Sequence, residues 1–293
     1  MTNIQLIATD MDGTLLNDGR SVSKENILAI KEAQKAGIHV VVATGRDYTE
    51  AAYPLKEAGL RLPLICVNGA DLRKEDGEII HQQTLSMEQF NIMDRILKEE
   101  SIYFEIYTSK GAYTNDDKQG LDLVIDLLLT TGEFNSYDEA MQLAEKRFQE
   151  GSVNRTNDYK RLLEYPQYDL FKLLAFSKDE TRRERAKKRI ENELDVSISA
   201  SAKDNLEITH NLATKGKGIE IIAKEYGTVL AQTMAIGDNY NDVSMMKKAG
   251  LSVAMGNAET EIKNMCDIIT KPNSEDGVAD AIRSVISKVH RSV

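Results

Sequence analysis

Ile4-Gln5-Leu6-Ile7-Ala8-Thr9-Asp10-Met11-Asp12-Gly13-Thr14 passes in one stroke from an apolar run to a polar, turn-rich one. A short run of this kind reads as a strand buried on both faces, the habit of parallel sheets. The residues after it keep the pattern. Ser23 is placed to cap a helix from Lys24 to Ala36 that Gly37 stops, and Ile38 to Ala43 is a second buried strand. A second helix runs from Asp47 to Ala58 before Gly59, and Leu62 to Val67 is a third strand. Strands alternating with helices imply right-handed crossovers and a parallel sheet. The same grammar returns late in the chain: helix 217–226, strand 232–236, helix 241–249, strand 251–255, a shorter strand at 267–270, and a last helix from about Gly277. From about Leu85 to His210 the reading changes. A helix leads into adjacent strands at 102–107 and 111–115. A charged helical stretch, a helix at 179–193 and strands at 195–201 and 205–209 come next. Adjacent strands without crossover helices indicate an antiparallel sheet. The expected fold class is therefore α/β, a Rossmann-like parallel-sheet core interrupted by an α+β insertion.

The 293 residues suffice for a proper core, with 41% apolar and 29% charged residues, close to ordinary soluble usage. The 37 basic and 47 acidic residues give a net charge of −10, which excludes a general basic footprint for nucleic acid or an anionic membrane. Cys66 and Cys266 give neither a disulfide framework nor a zinc spacing, and His39, His81, His210 and His290 are scattered. No apolar run reaches the ~18 residues of a membrane span, and the start lacks the marks of a signal peptide. A cytoplasmic protein, monomeric or weakly homo-oligomeric, with no nucleic-acid or membrane partner, is expected.

Ligands of open parallel sheets sit beyond the carboxyl ends of the strands. There the sequence places Asp10-Met11-Asp12-Gly13-Thr14, then Thr44-Gly45-Arg46, then Asn68-Gly69, and lastly Gly237-Asp238-Asn239-Tyr240-Asn241-Asp242. Crowded carboxylates repel and take up protons unless a cation is present, and oxygen-only ligands point to a hard divalent ion, Mg²⁺ fitting best.

These segments, with Lys215, resemble the four motifs of the haloacid dehalogenase superfamily, and most closely its Cof-type sugar-phosphatase branch, which carries a type IIB α/β cap. The likeness runs along the whole chain. It implies a catalytic core formed by 1–84 plus 211–293 and an inserted α+β cap at 85–210 that lies over the rim and sets specificity. Asp71 stands where relatives more often have an apolar residue, and the region 117–176 is longer than a minimal cap. The resemblance implies that Asp10 is the nucleophile that forms an aspartyl-phosphate and that Asp12 is the acid and base. Mg²⁺ would be held by Asp10, Asp238 and the carbonyl of Asp12. The phosphate would be bound by Thr44, Gly45, Lys215, Asn241 and the Met11 N–H, the side chain of Met11 mattering little. Asp242 would support the metal or Lys215 from behind. Arg46 is left outside the catalytic set, as a residue that orients the loop or pairs at the surface, and Lys217 competes with Lys215.

The expected activity is Mg²⁺-dependent hydrolysis of small phosphorylated metabolites, sugar phosphates first. A phosphomutase or phosphotransferase on the same scaffold is the alternative. A receiver-like module phosphorylated on Asp10 is a third, disfavoured by the insertion and by Asp12. Within the insertion, Tyr103, Tyr107, Tyr113, Arg155, Lys172, Lys203 and His210 are candidates for substrate contacts, each more readily a surface or core residue. The cationic run Thr181 to Arg189 is interleaved with glutamates at helical spacing, as in a solvated face.

Overall fold

In the computed structural model the described residues are 3–116, 118–122, 125, 136–139, 141–142, 153–200 and 204–289. The chain forms two compact units, Met1–Gln83 with Leu212–Val293, and Thr84–Asn211. In chain order the first unit begins with strands β1 (Leu6–Asp10), β2 (His39–Ala43), β3 (Leu64–Cys66), β4 (Asp71–Arg73) and β5 (Ile79–Gln82). The second unit holds β6 (Tyr103–Thr108), β7 (Gly111–Thr114), β8 (Val153–Arg155), β9 (Leu170–Phe176), β10 (Val196–Ser199) and β11 (Asn205–His210). The chain then returns to the first unit with β12 (Thr233–Gly237), β13 (Leu251–Ala254) and β14 (Ile268–Ile269).

The first unit is an eight-stranded sheet in the order β14-β13-β12-β1-β2-β3-β4-β5. Pairings are parallel from β14 to β3, and β4 and β5 add an antiparallel edge. β1 and β12 are buried along their whole length, so their apolar residues serve both faces. Register sets the rim: Asp10 lies opposite Ala43 of β2, and Thr9 opposite Ile236 of β12. The three strand ends are level, which brings Thr44 and Asp238 beside Asp10. Helix Lys24–Lys35 is capped by Ser23, whose hydroxyl accepts the N–H of Asn26 at 3.1 Å. The Asn26 amide is buried. It donates to the Leu15 carbonyl (3.2 Å) and accepts the Ala279 N–H (2.9 Å), tying the turn after β1 to helix Gly277–Val289.

The second unit is a six-stranded sheet, β10-β11-β9-β6-β7-β8, antiparallel except between β7 and β8. One face carries Phe104, Ile106, Leu173, Ala175, Leu206 and Ile208 against Phe90 and Ile96 of helix Met87–Glu99 and Ile190 of helix Glu180–Glu193. On the other face Tyr103, Glu105 and Tyr107 stand beside Lys172, Glu207 and Thr209, all buried. Lys172 Nζ lies 4.2 Å from the Tyr107 ring centre and 3.6 Å from Glu207.

The architecture is the expected α/β core with an α+β insertion, and several elements correct the sequence reading. β4 and β5 are strands that the sequence reading lacks; β4 has three residues and neither strand shows a clean alternation. β9, at the centre of the inserted sheet, lies where a charged helical stretch is expected, because charged segments flank Leu170–Phe176 and Lys172 interrupts it. Helix Tyr159–Leu163 falls within the expected charged helical stretch, helix Thr260–Met265 is an addition, and β1 starts two residues later than read. Among the described residues no helix is long and apolar enough to cross a membrane.

Candidate active site

Asp10 is the last residue of β1, and the chain turns at once through Met11–Leu15. The turn depends on Gly13, which sits at φ +74°, where a side chain would be strained. A Cβ there would also stand 2.5 Å from Asp238 Oδ2. Thr14 Oγ1 donates to Asp238 Oδ1 at 2.8 Å, and Asn257 Nδ2 donates to the Gly13 carbonyl at 2.8 Å. Met11 is fully buried, so its side chain packs in the core, and the expectation that it matters little is corrected.

Asp242 anchors the opposite side. Its Oδ2 accepts the N–H groups of Asp238 (3.0 Å) and Asn239 (3.1 Å), closing the loop after β12. Its Oδ1 lies 2.6 Å from Lys215 Nζ, which donates equally to Asp10 Oδ1 at 2.5 Å. Lys215 is 0% exposed and opens helix Lys215–Glu225, where Thr214 caps the N–H of Lys217. Gly216 and Gly218 let this helix lie against Ser244 and Ile65, a packing role and not a nucleotide loop. Lys217 pairs with Glu220 instead. The loop after β12 is capped by Asn239, whose side chain accepts the Tyr240 N–H.

The carboxylates Asp10, Asp238 and Asp242 each bring an oxygen within 4.8 Å of the others. Burial, then the charge of Asp242, push the Asp10 carboxyl well above the usual carboxylate range; Lys215 opposes them and Asp238 adds to the rise. Burial and Asp242 push Asp238 up to about 6, against the Thr14 hydrogen bond and Lys215. Burial alone would lower the Lys215 ammonium, but Asp10 and Asp242 outweigh it and hold it charged. Three carboxylates against one ammonium leave an excess of two negative charges, which protons or one divalent cation would neutralise.

Asp12 points elsewhere. Its carboxylate meets Arg46 as a fork, Nη2 to Oδ1 at 2.5 Å and Nε to Oδ2 at 2.8 Å, and its side chain is 55% exposed. Arg46 therefore orients this loop through a partner that local sequence could not name. Thr44 is buried, and its Oγ1 accepts the Arg46 N–H at 3.1 Å; Gly45 lies between them, while Asp47 caps helix Tyr48–Glu57. Asn241 Nδ2 reaches Asn68 Oδ1 at 3.4 Å. Val67, Asn68 and Gly69 take positive φ values of 48°, 55° and 110° in succession, a strained turn at the end of β3. Asn68, Thr14 and Asn257 are thus added to the site. The first two stand in strand-end segments already singled out, whereas Asn257 carries no local signal.

The insertion candidates are placed within the second unit. Tyr103 OH donates to Thr114 Oγ1 at 2.9 Å, and Tyr113 meets Tyr168 edge-on at 5.7 Å. Tyr107, Lys172 and the Arg155 strand belong to the sheet already described, and His210 ends β11. Lys203 lies outside the described residues, as does much of 117–152.

One consequence is local. A Cβ on Gly237 would lie 2.5 Å from Asp242 Cγ. Gly237→Ala must displace Asp242 and with it the Lys215 ammonium. Displacements near 1 Å cost about 10²-fold in rate, so turnover should fall by about that factor with KM little changed. Steady-state kinetics of the variant check this.

The profile of the haloacid dehalogenase-like hydrolases matches residues 7–282. Phosphatase YwpJ of Bacillus subtilis (strain 168) is 33% identical over 285 residues, covering 97% of this chain and 100% of that protein. The 5-amino-6-(5-phospho-D-ribitylamino)uracil phosphatase YwtE of the same organism is 31% identical, covering 97% and 99%. A solved haloacid dehalogenase-like hydrolase from B. subtilis superposes with a TM-score of 0.84 at 33% identity, over 96% of this chain and 99% of that one. Sequence profile, relatives and fold agree over nearly the full length, and the chain belongs to the haloacid dehalogenase-like hydrolase family.

Proposed function

We propose that this protein is a Mg²⁺-dependent phosphatase of small phosphorylated metabolites, with sugar and sugar-alcohol phosphates foremost, acting through an aspartyl-phosphate on Asp10. The observation that carries the reading is the Lys215 ammonium shared by Asp10 and Asp242 with Asp238 alongside. A buried carboxylate placed against a cation, at the carboxyl end of a parallel sheet, suits attack on a phosphoryl group. The two B. subtilis relatives are named phosphatases, one of them for a ribityl phosphate.

The donor set fits Mg²⁺, being made of oxygens alone. Asp10, Asp238 and the Asp12 carbonyl would hold it; Asp242, with both oxygens engaged, would position Lys215 and the loop. When bound, Mg²⁺ would offset the repulsion between an anionic nucleophile and a phosphate dianion. Asp10 then attacks phosphorus and the bond to the leaving oxygen breaks, with Asp12 supplying the proton that oxygen needs. Asp12 next takes a proton from water, whose oxygen attacks the same phosphorus and frees Asp10 and inorganic phosphate. For this Asp12 must turn from Arg46, and its exposure leaves room. Thr44, Gly45, Asn241, Lys215 and the Met11 N–H hold the phosphoryl oxygens. Residues 85–210 act as the cap that selects the leaving group, and the enzyme works in the cytoplasm as a monomer or weak homo-oligomer.

Phosphate release from p-nitrophenyl phosphate and from a panel of sugar and sugar-alcohol phosphates tests this. Turnover should need Mg²⁺, vanish in EDTA and return on adding the ion. Asp238→Asn removes a ligand and not merely its support, so it should raise the Mg²⁺ concentration for half-activity by more than the about tenfold that loss of an outer hydrogen-bond partner costs. Saturating Mg²⁺, at about a hundred times its dissociation constant, should stabilise the folded protein by about 2.7 kcal/mol, read as a higher melting temperature. Turnover indifferent to EDTA would refute the metal assignment. A stable phosphate on Asp10 without ester turnover would favour a receiver.

A further inference from the structure

A hollow runs along helix Tyr48–Glu57 toward the far rim of the core sheet. It has a volume of about 600 Å³ and is walled by helix Tyr48–Glu57, the segment Gly59–Leu62 that leads into β3, and Lys74 and Glu75 of the β4–β5 turn. Arg61 and Glu75 also line an adjoining hollow of about 180 Å³ that reaches His39 and Tyr226. His39 begins β2 and Asp10 lies opposite its end. The two rims are therefore separated by the length of β2, roughly 13 Å at about 3.3 Å per residue. The volume falls within the range of small-molecule sites.

Its chemistry is specific. Tyr48, Tyr53, Leu60 and Leu62 are among its lining residues, and Tyr53 is 66% exposed. Arg73 already covers one side of the Tyr48 ring at 4.5 Å. Of the ionisable residues, Lys74 pairs with Glu78, and Glu75 accepts the Tyr226 hydroxyl at 2.9 Å. Lys56 and Arg61 make no ion pair or side-chain hydrogen bond among the described residues. Both are thus free to meet an anion, unlike Arg189, which is held by Glu99 and Glu100, or Arg283, which is held by Glu25 and Glu32. An uncommitted guanidinium and ammonium beside aromatic walls are complementary to an oxyanion attached to a flat ring.

We propose that this hollow is a second ligand site, distinct from the Asp10 site, that takes a small aromatic anion: a planar ring seated against Tyr53 with its phosphate, sulfonate or carboxylate on Arg61 and Lys56. Naphthalene-1-sulfonate is a suitable probe because it carries both features and is not an ester that the enzyme can hydrolyse. Isothermal titration of the full-length protein should show one site with equal affinity in the parent and in Asp10→Asn. Arg61→Glu and Lys56→Glu should each weaken binding at least tenfold, and Tyr53→Ala should weaken it too, with circular dichroism unchanged. Methanesulfonate, which lacks the ring, should give no heat. Equal affinity in Arg61→Glu, absence of binding to the parent at millimolar probe, or loss of binding in Asp10→Asn would each overturn the proposal. So would a dimer, seen by sedimentation, that Arg61→Glu dissociates, because the hollow would then belong to a second copy of the chain.

Discussion

Asp10→Asn is expected to lower turnover of p-nitrophenyl phosphate by at least about 10⁴-fold, in the range seen when an enzyme nucleophile is removed. The substitution keeps size and an acceptor oxygen for Lys215, so the cause is chemical and not steric. What goes is the negative charge that must form the bond to phosphorus. The fold should tolerate the exchange well. In the parent that charge is opposed by burial, Asp242 and Asp238, and only Lys215 favours it. A neutral amide relieves this opposition, so in EDTA the variant should be at least as stable as the parent toward urea. Loss of turnover with stability kept is thus the expected pair of results. Retention of near-parental turnover would falsify the role of Asp10.

Lys215→Met has the second large effect, and here stability changes as well. The substitution fills the volume but leaves Asp10 and Asp242 buried without their shared cation. Removing one partner of a buried ion pair typically costs about 3–5 kcal/mol, so the urea midpoint at pH 7 in EDTA should fall markedly. The pH dependence gives the cause. Asp10 and Asp238 hold their protons more tightly folded than unfolded, since both are raised above the usual 3.8, Asp238 to about 6. Over that interval the native state binds the extra protons, so the contribution of these two carboxyls to metal-free stability is fully present near pH 4 and is lost as pH rises through about 6. Without Lys215 the carboxylates should titrate higher still. The variant should therefore regain much of its lost stability on acidification from pH 7 to 5, by more than the parent gains. A deficit independent of pH would mean lost packing and no electrostatic role.

The parts of this molecule legible from sequence are those where one physical rule dominates. Buried parallel strands are apolar along their length, so Leu6–Asp10 and Thr233–Gly237 announce both themselves and the polar residues that end them. That is why Asp10, Thr44, Asp238 and Asp242 stand out in the sequence, whereas Lys215, at the start of a helix, is named only through the family resemblance those segments carry. The rest depends on contacts between distant segments. The fork between Asp12 and Arg46 joins residues whose neighbours say nothing of each other. Asn257 reaches Gly13 across almost the whole chain. β9 is hidden by its own lysine, because a buried Lys172 is tolerable only where Glu207 and the Tyr107 ring await it.

The position of β1 between β2 and β12 bears on how the protein is made. During synthesis the first strand meets β2 early, while the other edge stays open until Thr233–Gly237 has left the ribosome, after the whole of Thr84–Asn211. The inserted unit draws all its strands from one continuous stretch and can close its sheet while the core still waits. The late strand also brings Asp238 and Asp242, so a nascent chain carries Asp10 without its partners through most of translation. Assembly of the acidic cluster is thereby tied to the late emergence of β12, and the edge of β1 that β12 covers is the surface on which a stalled or truncated product would aggregate.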